Sequence, residues 1–343
     1  QYYQASSALN MLNQTVDAEQ ERENLKGWVS NPHLRGHIEF KNVSLCYPNE
    51  SHSALNNISF SVRAGEKVAI LGKVGSGKSS IEKILLSLYK PTEGSVFIDQ
   101  TNISQIDPAE LRSQIGYIPQ DIQLLNGTVL SNIVLGNPHV SRVALEQSLV
   151  VSGLSQILKA HEDGLSLQVG EGGHKLSGGQ RQAVAVARAI AQNAKILVFD
   201  EPTNGLDPVG IAEIRGLIKK LSQQGKTIIM ASHLLDEVEK VCTHVAILKL
   251  GTLITSGNVN EIFVHDDIVE LASADLEKLM DVIEGKGGFK KIESENNVIN
   301  IRFEAGTVNL SDINKTCFDN GIILSHLVLK RRSLETKFFE LTN

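Results

Sequence analysis

Cysteine is scarce in this chain of 343 residues. Cys46, Cys242 and Cys317 are odd in number and far apart, which argues against a disulfide framework or a zinc site and fits a reducing compartment. Basic charge is not in excess either. Lys and Arg number 33 against 39 Asp and Glu, a formal charge of −6, so no dominant basic face is available for nucleic acid. No apolar run reaches the ~18 residues that a membrane helix needs. The first residue is Gln1 rather than Met and no signal peptide follows, which predicts a piece of a longer protein. What is present is ordinary for a globular protein, 41% hydrophobic and 21% charged, with length for two domains.

Residues 1–35 read as a lead-in. Leu9, Leu12 and Val16 fall at helical spacing before the chain turns polar, which predicts a surface helix and linker. Short alternating strands are predicted next, over Ile38–Val43, Ile58–Val62 and Val96–Asp99. "EKVAILGKVGSGKSS" is a β-run, a Gly-rich loop and a helical pattern in succession, and residues 108–160 read as several short helices. Apolar β-runs follow at Ile196–Phe199 and Thr227–Ala231, separated by helical segments. That alternation predicts a parallel sheet covered by helices. From about residue 265 the rhythm changes to β-α-β-β-α-β, with a hairpin across Glu295–Asn297 and a last helix over "SLETKFFEL". That order predicts a small ferredoxin-like domain at 265–343.

"GKVGSGKSS" fits the phosphate-loop pattern through Gly72, Gly77, Lys78 and Ser79. Its glycines let the backbone N–H groups turn inward toward anionic oxygens, and the following helix adds its positive end. Lys78 is expected to reach the β and γ phosphates, and the Ser79 hydroxyl to ligate Mg²⁺. The dinucleotide fingerprint fails, because its third glycine position is Ser80. Such a triphosphate site needs an acid on a neighbouring strand end. In "ILVFDEPTNGLDP" Asp200 fits that need, and Glu201 follows where a general base would face the attacking water. "LSGGQ" at 176–180 then opens an amphipathic helix, a second exposed helix end suited to phosphate.

In this order the motifs resemble the ATP-binding-cassette (ABC) transporter ATPases over roughly residues 36–260. The resemblance implies an α/β P-loop NTPase fold: a mixed sheet with an antiparallel β subdomain and a helical subdomain, here followed by the ferredoxin-like tail. It implies that Tyr47 stacks on adenine and that Gly75, Ser76, Gly77, Lys78, Ser79 and Ser80 form the phosphate cradle. Gln120 looks like the Q-loop residue near Mg²⁺ and the membrane partner. Ser177, Gly178, Gly179 and Gln180 look like the signature, Asp200 and Glu201 like the metal acid and catalytic base, and Asp207 like the D-loop aspartate. A lone His is more often a core or surface residue, but the place of His233 after the apolar strand Ile228–Ala231 matches the switch histidine. The resemblance further implies ATP and Mg²⁺ as ligands and a second copy of the chain as partner in a head-to-tail ATP sandwich. It also implies a membrane-spanning permease domain as partner, with the cassette on the cytoplasmic side of a bacterial inner membrane.

Two branches of the family contribute. "QDIQLLNGTVLSNI" and "GEGGHKLSGGQRQAVAVARAI" resemble type I secretion exporters, in which the cassette (here 36–262) follows a membrane domain that residues 1–35 would link. "DEPTNGLDPVGIAEIRGLIKKL" and the tail resemble stand-alone subunits of drug-efflux and gliding-motility transporters. A hybrid joined around Ala194–Gly205 is the expectation. It leaves two alternatives to an export ATPase: a nucleotide-binding scaffold with Glu201 and His233 misaligned, and an ATPase subunit for small-molecule efflux. A cassette acting on nucleic acid or ribosomes is disfavoured by the −6 charge.

Overall fold

The computed structural model describes residues 6, 7, 9, 11–13, 16, 21, 27–31, 33–137, 139–262, 267–295, 297–304, 306–331 and 338. The chain forms two compact units, Gln1–His233 with Ala246–Leu253, and Leu234–Val245 with Ile254–Asn343.

The first unit holds an antiparallel sheet and a parallel one. The antiparallel sheet runs in the order Ser53–Val62, Ile38–Cys46, Glu93–Ile98, Thr101–Asn102. Its alternating pattern turns Ile38, Phe40 and Val43 into the core. The strand expected to end at Asp99 stops at Ile98. Asp99 has a positive φ of 48° and its carboxylate accepts the backbone N–H groups of Arg35, Gly36 and His37. It is therefore a turn residue that anchors the segment entering the sheet.

The parallel sheet places Lys67–Leu71, Thr227–Ser232, Ile196–Asp200 and Ile115–Ile118 side by side. "ILVF" and "TIIMAS" are buried throughout, as strands covered on both faces must be. Ile115–Ile118 lies within the stretch expected to form several short helices, where no strand was expected. A four-residue apolar run carries too little periodicity to declare itself a strand. Its Gly116 lets it pass close to its neighbour, since a Cβ there would meet Leu197 Cδ2 at 2.6 Å. The helices Pro108–Ser113, Val129–Ile133, Arg142–Val151 and Leu154–Lys159 lie in the same stretch, joined by loops. Behind the last three, Gly178–Ala191 buries Ala183, Val184 and Ala187 in a separate core with Val129, Ile133 and Leu154. In the lead-in, Leu9, Leu12 and Val16 are helical and exposed.

Register decides where the site forms. Leu71 pairs with Ser232, and Ala231 pairs with Asp200, so three strands end together at their carboxyl ends. The phosphate loop, Glu201 and His233 leave the sheet from that one edge, the usual ligand-binding edge of such sheets.

The second unit carries the strands Asp267–Ser273, Lys291–Glu295, Val298–Phe303 and Leu324–Arg331 and the helices Leu276–Lys286 and Leu310–Asp319. They follow one another as β-α-β-β-α-β. The antiparallel sheet runs Lys291–Glu295, Val298–Phe303, Asp267–Ser273, Leu324–Arg331. Asp275 caps the first helix by accepting from Lys278 N, and Gly287 ends it with φ 65°. Asn297, with φ 63°, turns the hairpin. The final helix expected over 333–341 lies outside the described residues, except that Phe338 is helical and buried.

Phe199 is wholly buried in the parallel sheet. Phe199→Ala is expected to cost about 3–5 kcal/mol in the urea unfolding of the first unit. Val143→Ala, at a side chain 63% exposed, should change it by no more than about 0.5 kcal/mol.

Candidate functional site

The phosphate loop follows Leu71 directly and opens the helix Lys78–Leu85. Gly75 and Gly77 have φ of 80° and 103°. At Gly77 the requirement is also spatial, because a Cβ would lie 2.7 Å from Leu55 Cδ2 and 2.8 Å from Ala54 O. Gly77 is the helix N-cap and no side chain caps that end, so the first turn keeps its donors for an anion. Val74 stands wholly exposed at the tip. Lys78 is buried and folds back, its Nζ donating to Gly72 O at 2.9 Å and Lys73 O at 3.4 Å. The ammonium thus lies in the hollow that a phosphate would fill.

Facing the loop are the acids. Glu201 takes a left-handed conformation with φ 49°, of order 1–3 kcal/mol of backbone strain for a residue other than Gly. Its N–H donates to Ala231 O at 3.0 Å, which holds the kink. Its carboxylate is 3.8 Å from Lys78 Nζ on one side and 2.6 Å from His233 Nδ1 on the other. Asp200 is half-buried. Burial raises its pKa first and the charge of Glu201 adds to the rise, opposed by hydrogen bonding to Glu82 and Tyr117 and by the charge of Lys78. Burial likewise pushes the Tyr117 phenol up, and Glu82 and Asp200 push it further.

A cleft of about 420 Å³ gathers Tyr47, Gly75, Ser76, Gly77, Lys78, Ser79, Ser80, Gln120, Asp200, Glu201 and His233. Tyr47 donates to or accepts from Ser80 Oγ at 2.9 Å. Tyr89 meets its edge at 4.8 Å, and Lys83 Nζ lies 5.2 Å from its ring centre. Ser79, Gln120 and Asp200 offer a hydroxyl, an amide oxygen and a carboxylate, a hard-oxygen set whose chemistry fits Mg²⁺.

Five residues picked from the sequence do not line this cleft: Ser177, Gly178, Gly179, Gln180 and Asp207. Ser177 and Gln180 form a capping box, Ser177 Oγ accepting from Gln180 N at 3.2 Å and Gln180 Oε1 from Ser177 N at 2.9 Å. Gly178 and Gly179 are exposed, with no atom within 4 Å of where a Cβ would stand. Asp207 caps the helix Pro208–Gln223 by accepting from Gly210 N at 2.8 Å.

Lys83, Tyr89, Tyr117, Asn204 and above all Glu82 were not singled out from the sequence. Glu82 is 1% exposed, and burial together with Asp200 pushes its carboxyl up to about 9. Its signal was available: a carboxylate between Ile81 and Ile84, in the helix that follows the loop.

A strand, a glycine loop with its lysine on a helix start, and an acid-tipped parallel strand alongside define a P-loop nucleoside-triphosphatase domain. Residues 55–204 match the ABC transporter family, and this part of the chain is an ABC transporter ATPase domain. The chain is 36% identical over 245 residues to the leukotoxin translocation ATP-binding protein LktB of Pasteurella haemolytica-like sp. (strain 5943B), covering 71% of this chain and 34% of that protein. LktB of Mannheimia haemolytica is 36% identical over 240 residues, 70% of this chain and 34% of its own length. The chain thus spans about a third of the length of these curated relatives. A solved bacterial Atm1-family ABC exporter with ATP bound is similar at a TM-score of 0.69 and 29% identity, covering 76% of this chain and 45% of that one. The ATPase domain therefore resembles those of type I secretion exporters. Among the described residues no helix is long and apolar enough to cross a membrane.

Gly77→Ala should remove nucleotide binding, because the new Cβ has no room and the backbone an unfavourable φ. A titration with a fluorescent ATP analogue checks this, and wild-type affinity in the variant would contradict the assignment of the loop.

Proposed function

We propose that the chain binds Mg-ATP between two copies arranged head to tail and hydrolyses it to power export across a membrane. One observation carries the reading. The cleft gathers the phosphate loop, Lys78 and the facing acids, while the exposed glycines of "LSGGQ" stand outside it. In a sandwich each copy's Ser177–Gln180 would cover its partner's phosphate loop, completing two equivalent sites. Closure would also expel water and strengthen each charge contact inside.

Lys78 exchanges the carbonyls of Gly72 and Lys73 for phosphate oxygens. Mg²⁺, held by Ser79, Gln120 and Asp200, would supply positive charge to those oxygens. Glu201 accepts the proton of the attacking water, and His233, 2.6 Å away, fixes the carboxylate for that task. Tyr47 would offer a ring to the adenine, and Asp207, at the head of the helix Pro208–Gln223, would face the partner.

The LktB relatives are named for leukotoxin translocation, and this supports a polypeptide as cargo. A membrane-spanning permease domain, holding this cassette at the cytoplasmic face of a bacterial inner membrane, belongs to the same reading. Residues 36–262 would act as the cassette and 265–343 as an accessory domain from the second branch. Small-molecule efflux is the reading favoured if that β-α-β-β-α-β unit, rather than the cassette, marks the lineage.

Glu201→Gln is expected to lower phosphate release by ~10²–10⁴. With ATP present the same variant should elute as a dimer from a sizing column. A monomer at saturating ATP would contradict the sandwich.

A further inference from the structure

Glu82 has no part in the steps above. It lies three residues after Ser79 and four after Lys78 in one helix, so it stacks on the face that carries both. Its depth is that of Ile81, Ile84 and Leu85 around it, where an apolar side chain would serve packing better. No donor is aimed at either of its carboxyl oxygens. The polar group within hydrogen-bonding reach is another carboxyl, Asp200, with the charges of Glu201 and Lys78 beyond. Two carboxyl groups brought together in this way share a proton until positive charge comes close by.

The number of acids argues for an indirect role. Among the described residues no three His, Cys, Asp or Glu side chains converge closely enough to hold a metal ion themselves. Mg²⁺ is also reluctant to shed water and is commonly held by one or two carboxylates. An acceptor one layer further out orients such waters and the ligand beside it.

We propose that Glu82 is a positioning residue of the cation site, taking hydrogen bonds from the water shell of a divalent cation held at Ser79 and Asp200. The inference rests on the placement of that cation proposed above. It gives the Glu82 oxygens the donors they lack and fixes the Asp200 carboxylate from behind.

Mn²⁺ is the probe. Its binding to the full chain, saturated with a non-hydrolysable ATP analogue, is followed by EPR. Analogue affinity in EDTA and thermal unfolding are measured beside it. Glu82→Gln keeps the shape and replaces one carboxyl oxygen by an amide NH₂ that cannot accept, and should weaken Mn²⁺ binding by about 10-fold or more while affinity in EDTA is unchanged. Glu82→Asp, which keeps both carboxyl oxygens, should lie nearer wild type than Glu82→Gln, and the reverse order overturns the inference. A change in unfolding temperature with wild-type Mn²⁺ affinity in Glu82→Gln would mark a purely structural carboxyl and also overturn it. Asp200→Asn separates the two layers of the argument. If it binds Mn²⁺ as wild type does, the cation placement and the inference fall together. If it loses Mn²⁺ while Glu82→Gln does not, the inference alone falls.

Discussion

Three parallel strands stop at the same level, and the chemistry of the first unit depends on that. The pairs Leu71–Ser232 and Asp200–Ala231 fix the level. A slip of one residue would turn Asp200 away from the cleft and part Glu201 from His233, because side chains alternate along a strand. Burial of these strands resists such a slip at their ends, where it would draw Asp200 into the apolar layer. A packing constraint thus holds the distance between Glu201 and His233.

Electrostatics explains why the cleft is poised rather than satisfied. Lys78 rests on the carbonyls of its own loop and stands 3.8 Å from Glu201, a substitute arrangement that a triphosphate can displace. Burial raises the pKa of both Asp200 and Glu82; Asp200 raises that of Glu82 further, whereas the hydrogen bond from Glu82 opposes the rise at Asp200. The signature residues have no such unmet demand within their own copy, for Ser177 and Gln180 satisfy each other's orphan groups. What they leave open is the backbone of Gly178 and Gly179 at a helix start, the surface that an anion on another copy would meet.

Much of this was legible in the sequence because phosphate loops demand particular residue types at fixed spacing. Gly77 is dictated by φ and by the nearness of Ala54 and Leu55, and Lys78 by its place on the helix start. The βαββαβ order of the tail was readable from caps and turns such as Asp275, Gly287 and Asn297. The strand Ile115–Ile118 was not, because four residues between helices show no period and their pairing with Ile196–Phe199 is remote in sequence. Glu82 was passed over for a related reason: a helix-favouring charged residue reads as solvent-facing until the strand bearing Asp200 is laid against it. That Ser177, Gln180 and Asp207 would serve their own helices as caps was likewise invisible in a motif read only for its ligand.

The central claim is that one chain holds half a catalytic site and a second copy the other half. It is tested most directly by phosphate release per chain as a function of chain concentration, starting where sizing chromatography finds monomers. The account predicts a specific rate that climbs with concentration toward a plateau. A specific rate that stays constant down through the monomeric range would contradict it.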